Sequence, residues 1–233
     1  MDSGPQEAHA SDLVTVASTS TEAMSPDELA EAIQRLTAHE QRRASDIRLE
    51  RPRRSFVVGR LLLRSTVARI AGVRPEEVVI EVEPSGRPVL TGALSRYFVS
   101  IAHSGAHVVV AVANEQIGVD VEELRQSAPS PQLMARVCSP DELRLLEHMN
   151  EDDRAAGFMK VWTRKEAYGK AIGVGIGFGL QSVTVGVSGP TTVHGSGDWQ
   201  VADIDIDAAC AAAVVASGPY WRVQLDRADR RNL

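Results

Sequence analysis

In the segment IGVDVEEL, residues 117–124, two of the carboxylates alternate with apolar residues as in a β-strand. Ile117, Val119 and Val121 are apolar at every second position, so Asp120 and Glu122 fall together on the opposite face. Each carboxylate makes ionisation of the other less favourable. A solvated strand face accounts for the pair if nothing binds there, whereas a metal ion accounts for it if another acidic side chain joins them.

A second segment, GFMKVWTRKEAYGKAIGVGIGFGL at 157–180, predicts a helix that ends near Gly173 in a glycine-rich loop. One side of this helix is an apolar stripe, formed by Phe158, Val161, Trp162, Tyr168 and Ile172. Lys165 lies within the stripe, and Glu166 and Lys170 lie one turn apart at its margin. Taken alone, Lys165 is explained by a stem that crosses apolar surface, and the other two by a surface pair worth about 0.3–0.5 kcal/mol.

The strand and the helix form one candidate site if the margin of the helix that carries Glu166 faces Asp120 and Glu122. Three carboxylates would then converge, an arrangement that a hard cation such as Mg²⁺ stabilises while it keeps water or phosphate oxygens among its ligands. Lys170 beside such a centre favours a phosphate-bearing substrate. The residues therefore indicate a metal ion held between carboxylates and a phosphate.

Two further groups of residues carry positive charge or hydrogen-bond donors. His103 precedes the small-residue turn Ser104-Gly105, from which its ring can donate to a phosphate, although a lone histidine in a strand is more often structural. Arg51, Arg53 and Arg54 precede a helical pattern at 56–72 and form either a solvated helix start or a site for a polyanionic small molecule.

Composition limits the classes of protein to which the chain can belong. The 233 residues have a formal net charge of -6, which argues against binding to nucleic acid through phosphate neutralisation. Two cysteines give neither a disulfide framework nor a zinc pattern and favour the cytoplasm. No apolar run is long enough to span a bilayer, and the first residues lack the pattern of a signal peptide.

The order of strand and helix patterns, strands–helix–strands and then the same again, predicts an α+β protein of two similar halves. The tetrapeptide SPDE recurs at 25–28 and 139–142, each time as a capping box before a helix. We expect a flexible tail at 1–11, an N-terminal half at 12–117, a C-terminal half at 118–220 and a C-terminal tail at 221–233.

Four segments together make the sequence resemble the Sfp-type (surfactin-type) 4′-phosphopantetheinyl transferases. They are GRP at 86–88, SIAHSG at 100–105, IGVDVEEL at 117–124 and WTRKEAYGKAIGVGI at 162–176. The family signatures G-[IV]-D-[IV]-E and W-x-x-K-E-[AS]-x-x-K are present in full, and the resemblance extends over roughly residues 12–220. Ala102 stands where the family usually has serine, so we expect one hydroxyl contact to coenzyme A to be missing. Arg87 stands where the family has lysine, which keeps the positive charge but replaces a compact donor with a planar guanidinium.

The resemblance implies transfer of the 4′-phosphopantetheine arm of coenzyme A to a serine of an apo acyl or peptidyl carrier protein, with release of adenosine 3′,5′-bisphosphate. It also implies pseudo-twofold symmetry, a monomer, and binding of coenzyme A and Mg²⁺ (or Mn²⁺) in the cleft between the halves. The implied metal ligands are Asp120, Glu122 and Glu166. The implied coenzyme A contacts are His103, Ser104, Arg87, Pro88, Arg54, Lys165 and Lys170. Glu166 is our candidate for the base that takes the serine proton, directly or through water.

The carrier protein is expected to contact the segment that follows the carboxylate strand. Leu133, Met134, Val137 and Leu143 are its candidate apolar contacts, although core packing explains at least half of them. Arg125 or Arg136 would supply local positive charge for an acidic carrier.

Two other functions remain open from the residues alone. A metal-dependent phosphodiesterase or nuclease also gathers carboxylates around Mg²⁺, but it leaves the W-x-x-K-E-A-x-x-K helix without a role. A catalytically silent module that binds a carrier protein or a nucleotide is the second alternative.

Overall fold

Two four-stranded sheets, each packed against one long helix, make up most of the computed structural model, which describes residues 13–124, 129–194, 197–218, 221–230 and 233. The helices are α1 (Pro26–Gln34), α2 (Ala38–Asp46), α3 (Glu50–Ala71), α4 (Pro131–Val137), α5 (Pro140–Glu147) and α6 (Glu151–Ala171). The strands are β1 (Leu13–Ser20), β2 (Ile80–Val82), β3 (Pro88–Leu90), β4 (Phe98–Ser104), β5 (His107–Ala113), β6 (Ile117–Glu123), β7 (Thr191–Thr192), β8 (Trp199–Asp203), β9 (Cys210–Ser217) and β10 (Arg222–Arg227). No helix within these described ranges is long and apolar enough to cross a lipid bilayer.

One sheet lies in each half of the molecule. The first has the strand order β10-β1-β5-β4 and is covered by α3, and the second has the order β6-β9-β8-β7 and is covered by α6. β2 and β3 form a separate hairpin that ends beside β4. This pattern confirms the predicted α+β fold with two similar halves.

The repeated SPDE tetrapeptide begins one helix in each half, as predicted. At α1, Glu28 accepts a hydrogen bond from the Ser25 amide at 2.7 Å, and at α5, Glu142 accepts one from the Ser139 amide at 2.8 Å. In both helices the serine hydroxyl accepts from the glutamate amide in return, which completes the capping box.

The halves meet where β4 lies beside β6. An apolar cluster shared by both sheets fills this junction and contains Val14, Val16, Ala102, Val109, Ala111, Val119, Val121 and Val214. Because β4 carries His103 and Ser104 while β6 carries Asp120 and Glu122, the same packing brings the candidate residues of the two halves together.

Residues 222–227 are not part of a C-terminal tail, and the boundary predicted at 221 is wrong in this respect. They form β10, which pairs in parallel with β1 of the first sheet over six residue pairs, from Leu13↔Arg222 to Ser18↔Arg227. Asp226 also forms a salt bridge with Arg69 of α3, and Leu233 is buried in the core of the N-terminal half. The chain therefore returns to its first half after completing the second.

Gly118 allows β6 to lie directly against the backbone of α6. A Cβ atom at this position would be 1.9 Å from the carbonyl oxygen of Ala167 and 2.6 Å from the amide nitrogen of Ala171. No side chain fits within these distances. The glycine therefore sets the separation between the strand that carries Asp120 and the helix that carries Glu166.

Lys165 fixes α6 to its own half from the other side and does not reach the cleft between the halves. Its amine is fully buried, lies 2.7 Å from the buried carboxylate of Glu142, and donates to the carbonyl oxygens of Val137, Leu180 and Val183 at 2.8, 2.7 and 2.9 Å. With these acceptors its hydrogen-bonding capacity is filled. This environment corrects the assignment of Lys165 to the coenzyme A site: it is a structural residue.

Arg164, the neighbour of Lys165, is also fully buried and binds the chain that follows α6. Its Nε lies 2.7 Å from Asp203 Oδ1, and its terminal nitrogens donate to the carbonyl oxygens of Val185, Gly186 and Gly189. Two adjacent cationic residues thus hold α6 rigidly while the next residue, Glu166, faces the cleft.

We expect Gly118→Ala to lower the free energy of unfolding by about 3 kcal/mol, because the new methyl group must push β6 away from α6. Urea denaturation measures this change. Gly177→Ala is the matched control, since a Cβ atom there meets nothing within 4 Å and the backbone is not left-handed. Equal losses in the two variants would show that the contact at Gly118 is not tight.

Lys165→Met should destabilise the fold by about 3–5 kcal/mol, because it leaves the Glu142 carboxylate buried without its cation. Lys160→Met on the same helix is the control: Lys160 is 45% exposed and lies 3.8 Å from Asp203, so its removal should cost less than about 1 kcal/mol. A Lys165→Met protein that melts at the wild-type temperature would contradict the buried ion pair.

Candidate active site

Asp120 occupies the centre of the junction between the halves and is 6% exposed. Its Oδ1 lies 2.7 Å from Nζ of Lys170, which also donates to the carbonyl oxygen of Val119 at 3.1 Å. Its Oδ2 is buried and accepts no hydrogen bond within the part of the chain that the structure describes. Burial raises the pKa of Asp120 to about 6 even though Lys170 opposes the shift.

Glu122 is held from the opposite half of the molecule. The hydroxyl of Ser104, at the end of β4, donates to Glu122 Oε2 at 2.8 Å and accepts from the amide of Glu123 at 3.2 Å. Gly105 follows with a left-handed φ of 55°, and a Cβ atom there would overlap the Glu123 carboxylate. The turn after β4 therefore closes directly onto the end of β6.

Glu166 and His103 face the same group of charges. Burial raises the pKa of Glu166, and the negative charges of Asp120 and then Glu122 raise it further, against the effect of Lys170. Desolvation lowers the pKa of His103, and the nearby Lys170 ammonium lowers it too. The structure therefore brings Asp120, Glu122, Glu166, Lys170 and His103 within electrostatic range of one another, and their roles stay predictions.

A cavity of about 200 Å³ opens beside Lys170 between the two halves. The GRP turn lines one side with Arg87 and Pro88, β4 contributes Ser100, and the end of α6 contributes Gly173. Gly173 has a left-handed φ of 77°, and a Cβ atom there would lie 3.4 Å from a terminal nitrogen of Arg87. The glycine-rich loop thus lets the Arg87 guanidinium approach the end of the helix.

Arg54 and Ala102 lie apart from the residues that line the cavity beside Lys170. Arg54 forms a salt bridge with Glu50 one turn earlier on α3 and does not line the cavity beside Lys170. Ala102 is 3% exposed and belongs to the apolar cluster between the sheets, so a serine hydroxyl at this position would face the core. The loss of a hydroxyl contact to coenzyme A, inferred from the family pattern, does not fit this orientation.

Ser100 is a contact that the sequence analysis did not single out. Its hydroxyl accepts a hydrogen bond from the amide of Val119 at 3.1 Å, so it links β4 to the residue just before Asp120. The sequence feature that could have identified it is the spacing of Ser100 and Ser104, which places both serines on the same face of a strand. The sequence did not show that this face contacts β6, because that contact forms when the two halves pack.

The predicted surface for a carrier protein is partly core. Met134 and Val137 are buried and Leu143 packs against the core, whereas Leu133 is 37% exposed. Arg136 lines a larger groove of about 730 Å³ together with Leu143 and Leu180. Arg125 lies outside the described residues.

Among the described residues, no three His, Cys, Asp or Glu side chains already form a cluster that could enclose a metal ion. The donor set nevertheless suits a hard cation. Asp120 Oδ2 has no hydrogen-bond partner among the described residues. Burial raises the pKa of both Asp120 and Glu166, and neighbouring carboxylates raise each pKa further, so a bound cation would stabilise the ionised side chains.

Two family models match the two halves of the chain. The model described as "4′-phosphopantetheinyl transferase, N-terminal" matches residues 23–115, and the one described as "4′-phosphopantetheinyl transferase superfamily" matches residues 116–214. The second match begins next to β6, so it contains the carboxylate strand and the whole of α6.

Individual relatives agree with the family models. The chain is 32% identical to the 4′-phosphopantetheinyl transferase HetI of Nostoc sp. over 192 residues, which cover 80% of this chain and 81% of the relative. It is 32% identical to the 4′-phosphopantetheinyl transferase psf-1 of Bacillus pumilus over 58% of this chain and 57% of the relative. It is 31% identical to the L-aminoadipate-semialdehyde dehydrogenase-phosphopantetheinyl transferase of Xenopus laevis, over 66% of this chain and 55% of that protein.

The match to both family models and the similarity along most of HetI agree with the geometry of the cleft, where the residues of both family motifs meet. The chain belongs to the 4′-phosphopantetheinyl transferase family.

Proposed function

We propose that this protein transfers the 4′-phosphopantetheine arm of coenzyme A to a serine of an apo carrier protein. The observation that carries the proposal is the junction of the two halves. There three carboxylates and Lys170 lie beside a cavity that Arg87 also lines. Such a site can neutralise a pyrophosphate and hold a cation at the same time.

Asp120, Glu122 and Glu166 are the residues that would hold Mg²⁺ or Mn²⁺. The buried, unpartnered Oδ2 of Asp120 supports this role, and Ser104 orients Glu122 from the other half. When bound, the ion would offset negative charge on the pyrophosphate of coenzyme A. The protein side chains supply the remaining contacts.

Positive side chains around the cleft would bind the phosphates of coenzyme A. Lys170 and Arg87 line the same cavity from opposite halves, so a pyrophosphate between them would contact both halves. His103, at the end of β4, would donate a hydrogen bond to a phosphate oxygen. Arg54 lies on α3 and does not line this cavity, so any contact it makes would be with another part of coenzyme A.

Glu166 would take the proton of the attacking serine. It would do so directly or through water, and its position beside Asp120 and Glu122 at the cleft supports this role. In the reaction the serine oxygen forms a bond to the phosphorus that carries the pantetheine arm, and the bond from that phosphorus to the pyrophosphate bridging oxygen breaks. Adenosine 3′,5′-bisphosphate leaves with the bond electrons, and the serine proton passes to Glu166.

The carrier protein would approach from the side of α4. Leu133 supplies exposed apolar surface there, and Arg136 supplies positive charge at the groove between α4 and residues 179–182. This combination suits an acidic helix with an apolar edge.

Incubation with coenzyme A, Mg²⁺ and a panel of apo carrier proteins should add about 340 Da to at least one carrier, as measured by mass spectrometry. Asp120→Asn should reduce the rate by about 100-fold or more. Removal of a metal ligand should lower the rate more than removal of a residue that only orients a ligand. Asp205→Asn, which changes an exposed aspartate of the same half, is the matched control and should keep the wild-type rate.

The other two functions give different results in the same assay. Cleavage of a phosphodiester without a mass increase on any carrier would indicate a phosphodiesterase or nuclease. Binding of coenzyme A or a carrier without any chemical change would indicate a silent module. Either result would overturn the proposal.

The pKa of Asp120 generates a second prediction, on stability without metal. Folding raises this pKa from 3.8 to about 6, so the folded state binds the proton more tightly than the unfolded chain does. The resulting stabilisation is complete below about pH 4 and is lost as the pH rises through about 6. Relative to Asp120→Asn, the metal-free wild type should therefore lose about 3 kcal/mol between about pH 3.5 and about pH 7.5.

Urea denaturation of both proteins at several pH values measures this difference. Addition of Mg²⁺ near neutral pH should stabilise the wild type and leave Asp120→Asn unchanged, because binding to the folded state alone raises its stability. Parallel pH profiles for the two proteins would contradict the buried, proton-binding state of Asp120.

A further inference from the structure

The two halves meet at a pair of edge strands that do not form a common sheet. β4 is the last strand of the first sheet and β6 is the first strand of the second, and the two lie side by side without a ladder of backbone hydrogen bonds. An edge strand leaves every second amide without a partner in its own sheet. Buried amides of this kind must find another acceptor.

Serine hydroxyls of β4 accept hydrogen bonds from two such amides of β6. Ser100 Oγ accepts from the amide of Val119 at 3.1 Å, and Ser104 Oγ accepts from the amide of Glu123 at 3.2 Å. The spacing of four residues is the same on both strands. Ala102, between the two serines, packs into the apolar cluster. Serine side chains of the first half therefore accept hydrogen bonds from two β6 amides that have no neighbouring strand to accept them.

The peptide groups on the two sides of Val119 are held by different halves. Its amide is bound by Ser100 of the first half, while its carbonyl oxygen accepts from Lys170 of the second half at 3.1 Å. The same Lys170 amine lies 2.7 Å from Asp120 Oδ1. Ser100 thus fixes the backbone immediately before the aspartate whose other oxygen is buried and unpartnered.

We propose that Ser100 is a positioning residue: through the Val119 amide it holds Asp120 at the depth and orientation needed to bind a divalent cation together with coenzyme A. The inference rests on the proposed function of Asp120. Ser100 is 5% exposed, and although it borders the cavity, its hydroxyl oxygen is directed to β6. It acts through Val119 and does not itself react.

Serine suits this position because its hydroxyl oxygen lies within hydrogen-bonding distance of the Val119 amide. Alanine would fill the space but would leave the Val119 amide buried without an acceptor. Threonine keeps the hydroxyl oxygen and adds one methyl group next to an apolar cluster. The alanine and threonine variants therefore separate the role of the acceptor from the role of packing.

The test compares wild type, Ser100→Ala, Ser100→Thr and a control, Thr66→Ala. Thr66 is a buried hydroxyl of the same half that donates only to Leu62 O of its own helix at 2.7 Å, so its loss affects stability away from the cleft. Binding of Mn²⁺ to the protein without substrate is measured by calorimetry, hydrogen exchange of the Val119 amide by NMR, and carrier modification at several Mg²⁺ concentrations by mass spectrometry.

In Ser100→Ala we expect about tenfold weaker Mn²⁺ binding and about tenfold lower kcat, since loss of a group that orients a ligand costs 10- to 100-fold. The Val119 amide should exchange about tenfold faster than in wild type, because its hydrogen bond is missing. Ser100→Thr should restore most of each property, and Thr66→Ala should retain wild-type metal binding and kcat. If Ser100→Ala does not fold, Ser100→Cys, which has a similar size and a weak acceptor, takes its place with the same expected losses.

A Ser100→Ala protein that binds Mn²⁺ and modifies carriers like wild type would overturn the role of Ser100 while leaving the proposed function intact. The same conclusion follows if Thr66→Ala loses as much kcat as Ser100→Ala. A wild-type protein that modifies no carrier and binds no metal would overturn the proposed function and, with it, this inference.

Discussion

The contact between β6 and α6 at Gly118 is the constraint on which the rest of the site depends. A strand and a helix usually keep their side chains between their backbones, but here the absence of a Cβ atom lets the α6 backbone approach β6 directly. Lys170 can then reach the carbonyl oxygen of Val119 and the carboxylate of Asp120 together. With a larger separation, Glu166 would also lose its electrostatic contact with Asp120 and Glu122.

The long helix α6 serves the fold and the site with adjacent residues. Arg164 and Lys165 are buried in hydrogen-bond networks that attach the segments before and after the helix to it, whereas Glu166 lies on the side toward the cleft. Successive residues of a helix point about 100° apart, so neighbours in one motif must have different surroundings. The motif W-x-x-K-E-A-x-x-K therefore combines residues that hold the helix with residues that do chemistry.

Electrostatics explains why the cleft is suited to a cation and a phosphate. Asp120 is desolvated, and Asp120, Glu122 and Glu166 repel one another, while Lys170 compensates only part of this charge. Desolvation and, after it, the Lys170 ammonium lower the pKa of His103, which favours its neutral form. A site with opposing charges at short range gains from binding groups of both signs, and coenzyme A with a divalent ion supplies both.

The sequence by itself determined the local elements, the family and most of the residues at the cleft. Helix starts at Ser25 and Ser139, the end of α6 near Gly173 and the alternation along β6 all follow from interactions within a few residues, which local patterns encode. The apolar stripe separated Lys165 from Lys170, but the family motif contains both lysines, so the resemblance assigned both to coenzyme A. Local patterns also left residues 222–227 as a tail and Ser100 without a role.

Only the tertiary structure decided these cases, and each has the same physical reason. The partners of Lys165, β10 and Ser100 are distant along the chain. They are Glu142 and three backbone carbonyls for Lys165, the first strand for β10, and the Val119 amide of the other half for Ser100. The buried amine obtains its partners when its own half folds, whereas the added strand and the edge amide obtain theirs only when the two halves pack. Sequence patterns therefore identified which residues could react, and packing decided which of them meet.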